Sequence, residues 1–196
     1  MRIPIALVIA SILFPIFLAG IVQADSKKSV LMIIASKNYR DEELIVPRDF
    51  FKSKQISVTI ASSTTSPAKG MLGAVVKPDI KIQDIDISKY DVLLLVGGTG
   101  ASEYWDDGLV HKIATKAYNE GKIVSAICLA PVTLANAGLL KGKKATVWQS
   151  EGDTLKKKGA VYTGEAVTID GKIITADGPA SAKKFAEAVY NALEGK

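Results

Sequence analysis

The sequence predicts an α/β fold, a mostly parallel sheet with helices on both faces and an antiparallel hairpin at one edge. Three observations predict it. Short β-branched runs recur between turn residues, most of them apolar throughout, as strands covered on both faces must be. Helical patterns alternate with these runs, and strand–helix alternation builds a parallel sheet with its helices on both sides. Within the last run, Asp170-Gly171 has the form of a tight hairpin turn.

In chain order, "SVLMIIA" (29–35) is the first strand and 41–54 the first helix. "SVTIAS" (57–62) and "DVLLLVGG" (91–98) are the next strands. A helix over 109–120 puts Val110, Ile113, Ala114 and Ala117 on one stripe, as a half-buried helix requires. "KIVSAI" (122–127) runs almost directly into a helix over 131–138, with Pro131 suited to its first turn. "KATVW" (144–148) reads as a strand, 151–158 as a helix, and "AVTIDGKIITA" (166–176) as the edge hairpin. The final helix, 179–194, carries Phe185, Val189, Ala192 and Leu193 along one face.

The first 24 residues carry one charge, Arg2, then a long apolar run that ends in Val22-Gln23-Ala24, a small-residue cleavage pattern. They read as a secretory signal; the run also has the length of about 20 residues that a membrane anchor needs if it stays uncleaved. Residues 25–196 suit one domain. Export to the periplasm or the extracellular space is expected. Without Arg2, 24 basic residues face 20 acidic ones, a net charge of +4. The two lysine clusters, 141–144 and 156–158, have no interleaved aromatic residues, so nucleic-acid binding is not expected.

The chain has one cysteine and one histidine. A lone cysteine excludes an internal disulfide and leaves the thiol buried, reactive or shared with another chain. Cys128 follows the 122–127 strand, and its neighbours two residues away on either side are Ala126 and Ala130. This is the small-x-nucleophile-x-small spacing of a nucleophile elbow, with alanine in place of glycine. A helix N-terminus there would favour thiolate over thiol; the alternative is a buried cysteine acting as a small hydrophobe. In "DEELIVP" (41–47), Pro47 removes the N–H that would bond the carbonyl of Glu43, so a kink or freed carbonyl is expected at that acid. Asp41 and Glu42 read as first-turn acids that complement the helix dipole, which is also the alternative for Glu43. "VGGTG" (96–100) follows a buried strand, and Gly97-Gly98 lets the backbone approach another group closely, as an oxyanion site needs; a plain turn is the alternative. His111 falls off its helix's buried stripe and should face water, which leaves a Cys–His pair and a zinc site short of parts.

Together "EELIVP", "DVLLLVGG", "AICLAPVTLANAGLLKGKKAT" and "DGKIITADGPASAKKFAEAV" resemble the ThiJ/PfpI family, which includes a Parkinson-disease-associated deglycase and archaeal PfpI-type peptidases. The resemblance implies a flavodoxin-like three-layer sandwich of the class I glutamine amidotransferase type, a homodimer or higher homo-oligomer. It places the family's reactive cysteine at Cys128, its glutamate at Glu43, and its backbone-donor turn at Gly97-Gly98; in the expected reaction, N–H groups near Gly98 and Leu129 meet the oxygen charge. Where peptidase-like members carry a histidine after the cysteine this chain has Leu129, and where some deglycase-like members offer another it has Trp148. The expected activity is of the glyoxalase or deglycase kind, on a small reactive carbonyl (a 2-oxoaldehyde) or a glycated protein, with no cofactor and no metal. A non-catalytic redox or stress-response protein with an oxidisable Cys128, and a cysteine peptidase or amidase, are the other readings.

Overall fold

A computed structural model describes residues 27–196. The expected signal segment and its cleavage site lie outside the described residues.

The chain order is β1 (Ser29–Ile33), α1 (Asp41–Ser53), β2 (Ser57–Ser62), β3 (Ala68–Lys69), β4 (Val75–Val76), β5 (Ile80–Lys81), β6 (Val92–Leu95), α2 (Gly108–Asn119), β7 (Ile123–Ile127), α3 (Pro131–Asn136), β8 (Lys144–Ala145), α4 (Gly152–Lys157), β9 (Val161–Tyr162), β10 (Val167–Asp170), β11 (Ile173–Ala176) and α5 (Ala182–Leu193). Seven strands form the central sheet in the order β10-β11-β7-β6-β1-β2-β5. Every pairing in it is parallel except β10 with β11, where Asp170 stands opposite Ile173 across the Gly171 turn. This is the flavodoxin-like α/β sandwich with its antiparallel edge.

Alternation along the central strands divides the core in two. Leu31, Ile33, Leu93, Leu95, Val124 and Ala126 face one side, where Val110, Ala114 and Ala117 of α2, Leu134 of α3 and Leu155 of α4 cover them. Val30, Met32, Val92, Leu94 and Ile127 face the other, against Leu44 and Phe51 of α1 and Phe185 and Val189 of α5. With both faces covered, both positions along such a strand favour apolar residues; the buried exceptions Ser125 and Thr175 have their hydroxyls bonded, Ser125 Oγ donating to Leu93 O (3.0 Å) and Thr175 Oγ1 accepting from Thr146 N–H (2.8 Å).

One expectation is corrected. The 144–148 run does not join the central sheet; only Lys144–Ala145 is extended, paired with Val161–Tyr162 in a separate two-stranded ribbon. The chain leaves the strand there because Trp148 N–H donates to the carbonyl of Cys128 (2.9 Å), which turns the backbone toward the elbow. A second ribbon, β3 with β4, had no counterpart in the sequence reading. Two-residue strands are too short for a period of two to show.

Candidate active site

Cys128 stands one residue past the end of β7, before α3 begins. Its φ is +63°, in the left-handed region that residues with a Cβ rarely occupy. The conformation is held by its surroundings. Cys128 N–H donates to Ala176 O at the end of β11 (2.9 Å), Cys128 O accepts from Trp148 N–H, and the next carbonyl, Leu129 O, accepts from the Trp105 indole (3.1 Å). Ala126 and Ala130 are both buried, so larger side chains would push strand and helix apart beneath the cysteine.

Glu43 approaches from the connection after β1, which is separated from β7 in the sheet by β6. It sits in the first turn of α1, which continues through Pro47, and it is fully buried. Neither carboxyl oxygen completes a hydrogen bond. The polar groups that lean toward it are the Cys128 thiol and Gly97 N–H, with the Arg40 charge beyond them; these favour the anion, but burial outweighs them and raises the Glu43 pKa to about 8. Gly97 is the wedge between acid and cysteine. A Cβ at that position would stand 2.5 Å from Glu43 Oε2 and 2.6 Å from the Cβ of Cys128.

The thiol departs from the expected direction. Burial pushes Cys128 up to about 12, and the charge of ionised Glu43 pushes the same way, while the N–H groups of Gly98 and Leu129 oppose both. α3 has only six residues, and the sulfur is packed among apolar side chains with 7% of the residue exposed. Lost hydration therefore outweighs backbone potential. The structure thus brings together Cys128, Glu43, Gly97, Gly98 and Leu129, with Gly98 and Leu129 presenting N–H groups to the sulfur and Gly97 turned to the carboxyl.

The exposed part of Cys128 opens into a pocket of about 220 Å³ walled by Arg40, Met71, Gly98, Thr99, Leu129, Trp148 and Pro179. Several of these walls were not found from sequence. Arg40 sits at the mouth, its guanidinium holding both oxygens of Glu42 (2.8 and 3.0 Å). Glu42 is therefore an ion-pair partner as well as a first-turn acid. Asp41 is not a dipole residue at the surface: its carboxylate is buried and accepts from Leu72 N–H (2.8 Å) and Ala74 N–H (2.7 Å). That clamp, with Tyr39 O accepting from Met71 N–H and Tyr39 OH donating to Ala74 O (both 2.9 Å), carries Met71 to the pocket, where its sulfur accepts from Thr99 N–H at 3.5 Å. The sequence signal was Gly70 and Gly73 bracketing Met-Leu: a Cβ at Gly70 would collide with the Asp41 carboxylate, and Gly73 has φ +98°.

His111 is half-buried, not free in water, and its Nε2 bonds the carbonyl of Trp105 at 2.9 Å. Among the described residues no group of three or more potential ligands could hold a metal ion, and no helix is long and apolar enough to cross a membrane.

A family model described as DJ-1/PfpI matches residues 28–192. The chain is 43% identical to an uncharacterised protein of Methanocaldococcus jannaschii, over 84% of this chain and 82% of that one. It is 27% identical to a glutathione-independent glyoxalase of Caenorhabditis elegans (87% and 91% covered) and 30% identical to the deglycase PfpI of Pyrococcus furiosus (76% and 90% covered). Among solved structures, the ThiJ/PfpI domain protein of Brachyspira murdochii superposes with a TM-score of 0.84 at 29% identity, covering 87% of this chain and 99% of that one.

Proposed function

This chain belongs to the DJ-1/PfpI family, and from that premise we propose that it is a cofactor-independent enzyme of the glyoxalase or deglycase kind acting on 2-oxoaldehydes. Its relatives include proteins named for both activities. The observation that carries the reading is the Glu43 carboxyl: fully buried, without a hydrogen-bond partner, and facing the Cys128 thiol. An acid left unpaired in this way destabilises the fold, as a group kept for proton transfer does.

In the proposed reaction Cys128 Sγ bonds to the aldehyde carbon of methylglyoxal and the thiol proton ends on the aldehyde oxygen, giving a hemithioacetal. Gly98 and Leu129 N–H are directed at the sulfur, which supports a role in meeting negative charge as it develops there. Ionised Glu43 takes the proton from the former aldehyde carbon and returns it to the neighbouring carbon, converting a hydroxyketone into a thioester without any change in electron count. Water then cleaves the S–C bond to release lactate and the free thiol. A folded-state pKa near 8 leaves about a tenth of Glu43 ionised at pH 7, enough to act as base and close enough to neutrality to give the proton back.

The test is lactate formation from methylglyoxal by purified protein spanning residues 25–196. Cys128→Ser should remove it and Glu43→Gln should lower it about a hundredfold; wild-type protein that makes no lactate overturns the proposal.

A further inference from the structure

The pocket that holds Cys128 shares two walls, Trp148 and Pro179, with a larger one of about 370 Å³ on their far side. A small oxoaldehyde fits in the first pocket alone, so the reaction described above leaves the second unused. Its shape is fixed by the elbow itself. Trp148 is anchored through its N–H to Cys128 O, and its ring lies so close to Gly178 that a Cβ there would stand 2.8 Å from Cε3. Tyr162 also lines it, its ring packed so close to Gly152 that a Cβ there would stand 2.7 Å from Cε1.

The chemistry of the second pocket is that of a cation site. It has two aromatic walls and one carboxylate, Asp177. Asp177 Oδ1 accepts from Ser181 Oγ at 2.6 Å. Among the described residues no lysine or arginine pairs with it: the ion pairs present there all involve other acids. The Tyr162 ring already takes one cation, Lys156 Nζ at 5.5 Å, whose charge is met by Asp153 at 3.0 Å. Aromatic faces and an unpaired carboxylate attract an ammonium or guanidinium group while the tryptophan covers its aliphatic stem.

The geometry points to a subsite for a lysine or arginine side chain of a polypeptide substrate, seated at Asp177 while a neighbouring modified residue presents its carbonyl adduct to Cys128. This rests on the reading of Cys128 as the carbonyl site. It makes the preferred substrate an adduct on a basic protein segment, with free oxoaldehyde using only the first pocket.

The test reads the indole N–H signals of Trp148 and Trp105 in a ¹⁵N–¹H spectrum while Nα-acetyl-lysine methylamide, Nα-acetyl-arginine methylamide or the neutral Nα-acetyl-norleucine methylamide is titrated in. Trp105, tied to Leu129 O, is the internal control. The two basic probes should move the Trp148 signal and not that of Trp105, with norleucine about fivefold weaker. Asp177→Asn, whose amide oxygen still accepts from Ser181, should weaken the basic probes by a similar factor, the scale of one partly exposed charge pair. No shift from the basic probes, an equal shift from norleucine, or no effect of Asp177→Asn overturns the subsite. Lactate formation from methylglyoxal by the wild type is scored separately: lactate without probe binding removes the subsite alone, and probe binding without lactate removes the catalytic reading while the cation site stands.

Discussion

Glu43 and Cys128 face each other across Gly97, with no room at its Cα for even a methyl group. The glycine is needed here for space, since its φ is not among the positive ones. Gly97→Ala should force the carboxyl and the elbow apart, lowering methylglyoxal turnover by about a hundredfold, the scale of a displaced acid–base group. Overpacking should cost about 1–3 kcal/mol of stability. Circular dichroism and thermal melts check that the variant still folds; full turnover in a folded variant would show that the contact is not needed.

The pH profile follows from the direction of the Glu43 shift. A base whose pKa is raised to about 8 is mostly protonated at pH 6 and mostly ionised at pH 9. kcat/KM for methylglyoxal should therefore rise about tenfold per pH unit below 8 and level off above it. Glu43→Gln should leave a flat residue of activity about a hundredfold lower. A profile that levels off near pH 5 would assign the base to an ordinary exposed carboxylate.

The same shift predicts a stability trend of opposite sign. Folded Glu43 keeps its proton up to about pH 8, whereas the unfolded chain releases it near 4.5. Between these values the native state binds more protons than the unfolded state, so stability falls as pH rises through the window. The loss is on the order of a few kcal/mol. Urea denaturation at pH 5 and pH 8.5 should show the decline in wild type and little of it in Glu43→Gln, which should be the more stable of the two at the higher pH.

Thiol reactivity provides a check independent of substrate. Ionised Glu43 and burial both hold Cys128 in the thiol form. Glu43→Gln removes the charge but not the burial, so alkylation by iodoacetamide at pH 9 should speed up several-fold, as loss of an adjacent like charge requires. Mass spectrometry of the modified peptide measures the rate. An unchanged rate would mean that burial alone sets the thiol's behaviour.

Export is proposed from the amino-terminal sequence alone. Material recovered from the periplasm or medium should begin at Asp25, which terminal mass spectrometry reads directly. Full-length chain found only in membranes would indicate an anchor instead.

The long elements were legible because both faces of the sheet are covered, which leaves strands such as Val92–Leu95 uniformly apolar and bounded by turn residues. The elbow was legible through the spacing of Ala126, Cys128 and Ala130. The pocket walls were not: Met71 is carried there by hydrogen bonds between the 71–74 segment and Asp41 and Tyr39, such as Leu72 N–H to Asp41, 31 positions apart, and Tyr39 OH to Ala74 O, 35 apart, and no local pattern encodes that pairing. The thiol's direction was misjudged for a related reason. Sequence shows that a helix follows Cys128, but not that it has six residues or that the sulfur is buried.

Asp41 and Glu43 stand two residues apart at the start of α1, and they hold different things: one the 70–74 segment that bears Met71, the other a place beside the thiol. The pocket wall borne by Met71 and the carboxyl beside the thiol are therefore anchored in the same helical turn. Displacing Met71 would strain the bonds that Leu72 and Ala74 N–H make to Asp41, in the same turn that carries Glu43. Under the proposed reaction, bulky and small carbonyl compounds should therefore differ in kcat as well as in binding.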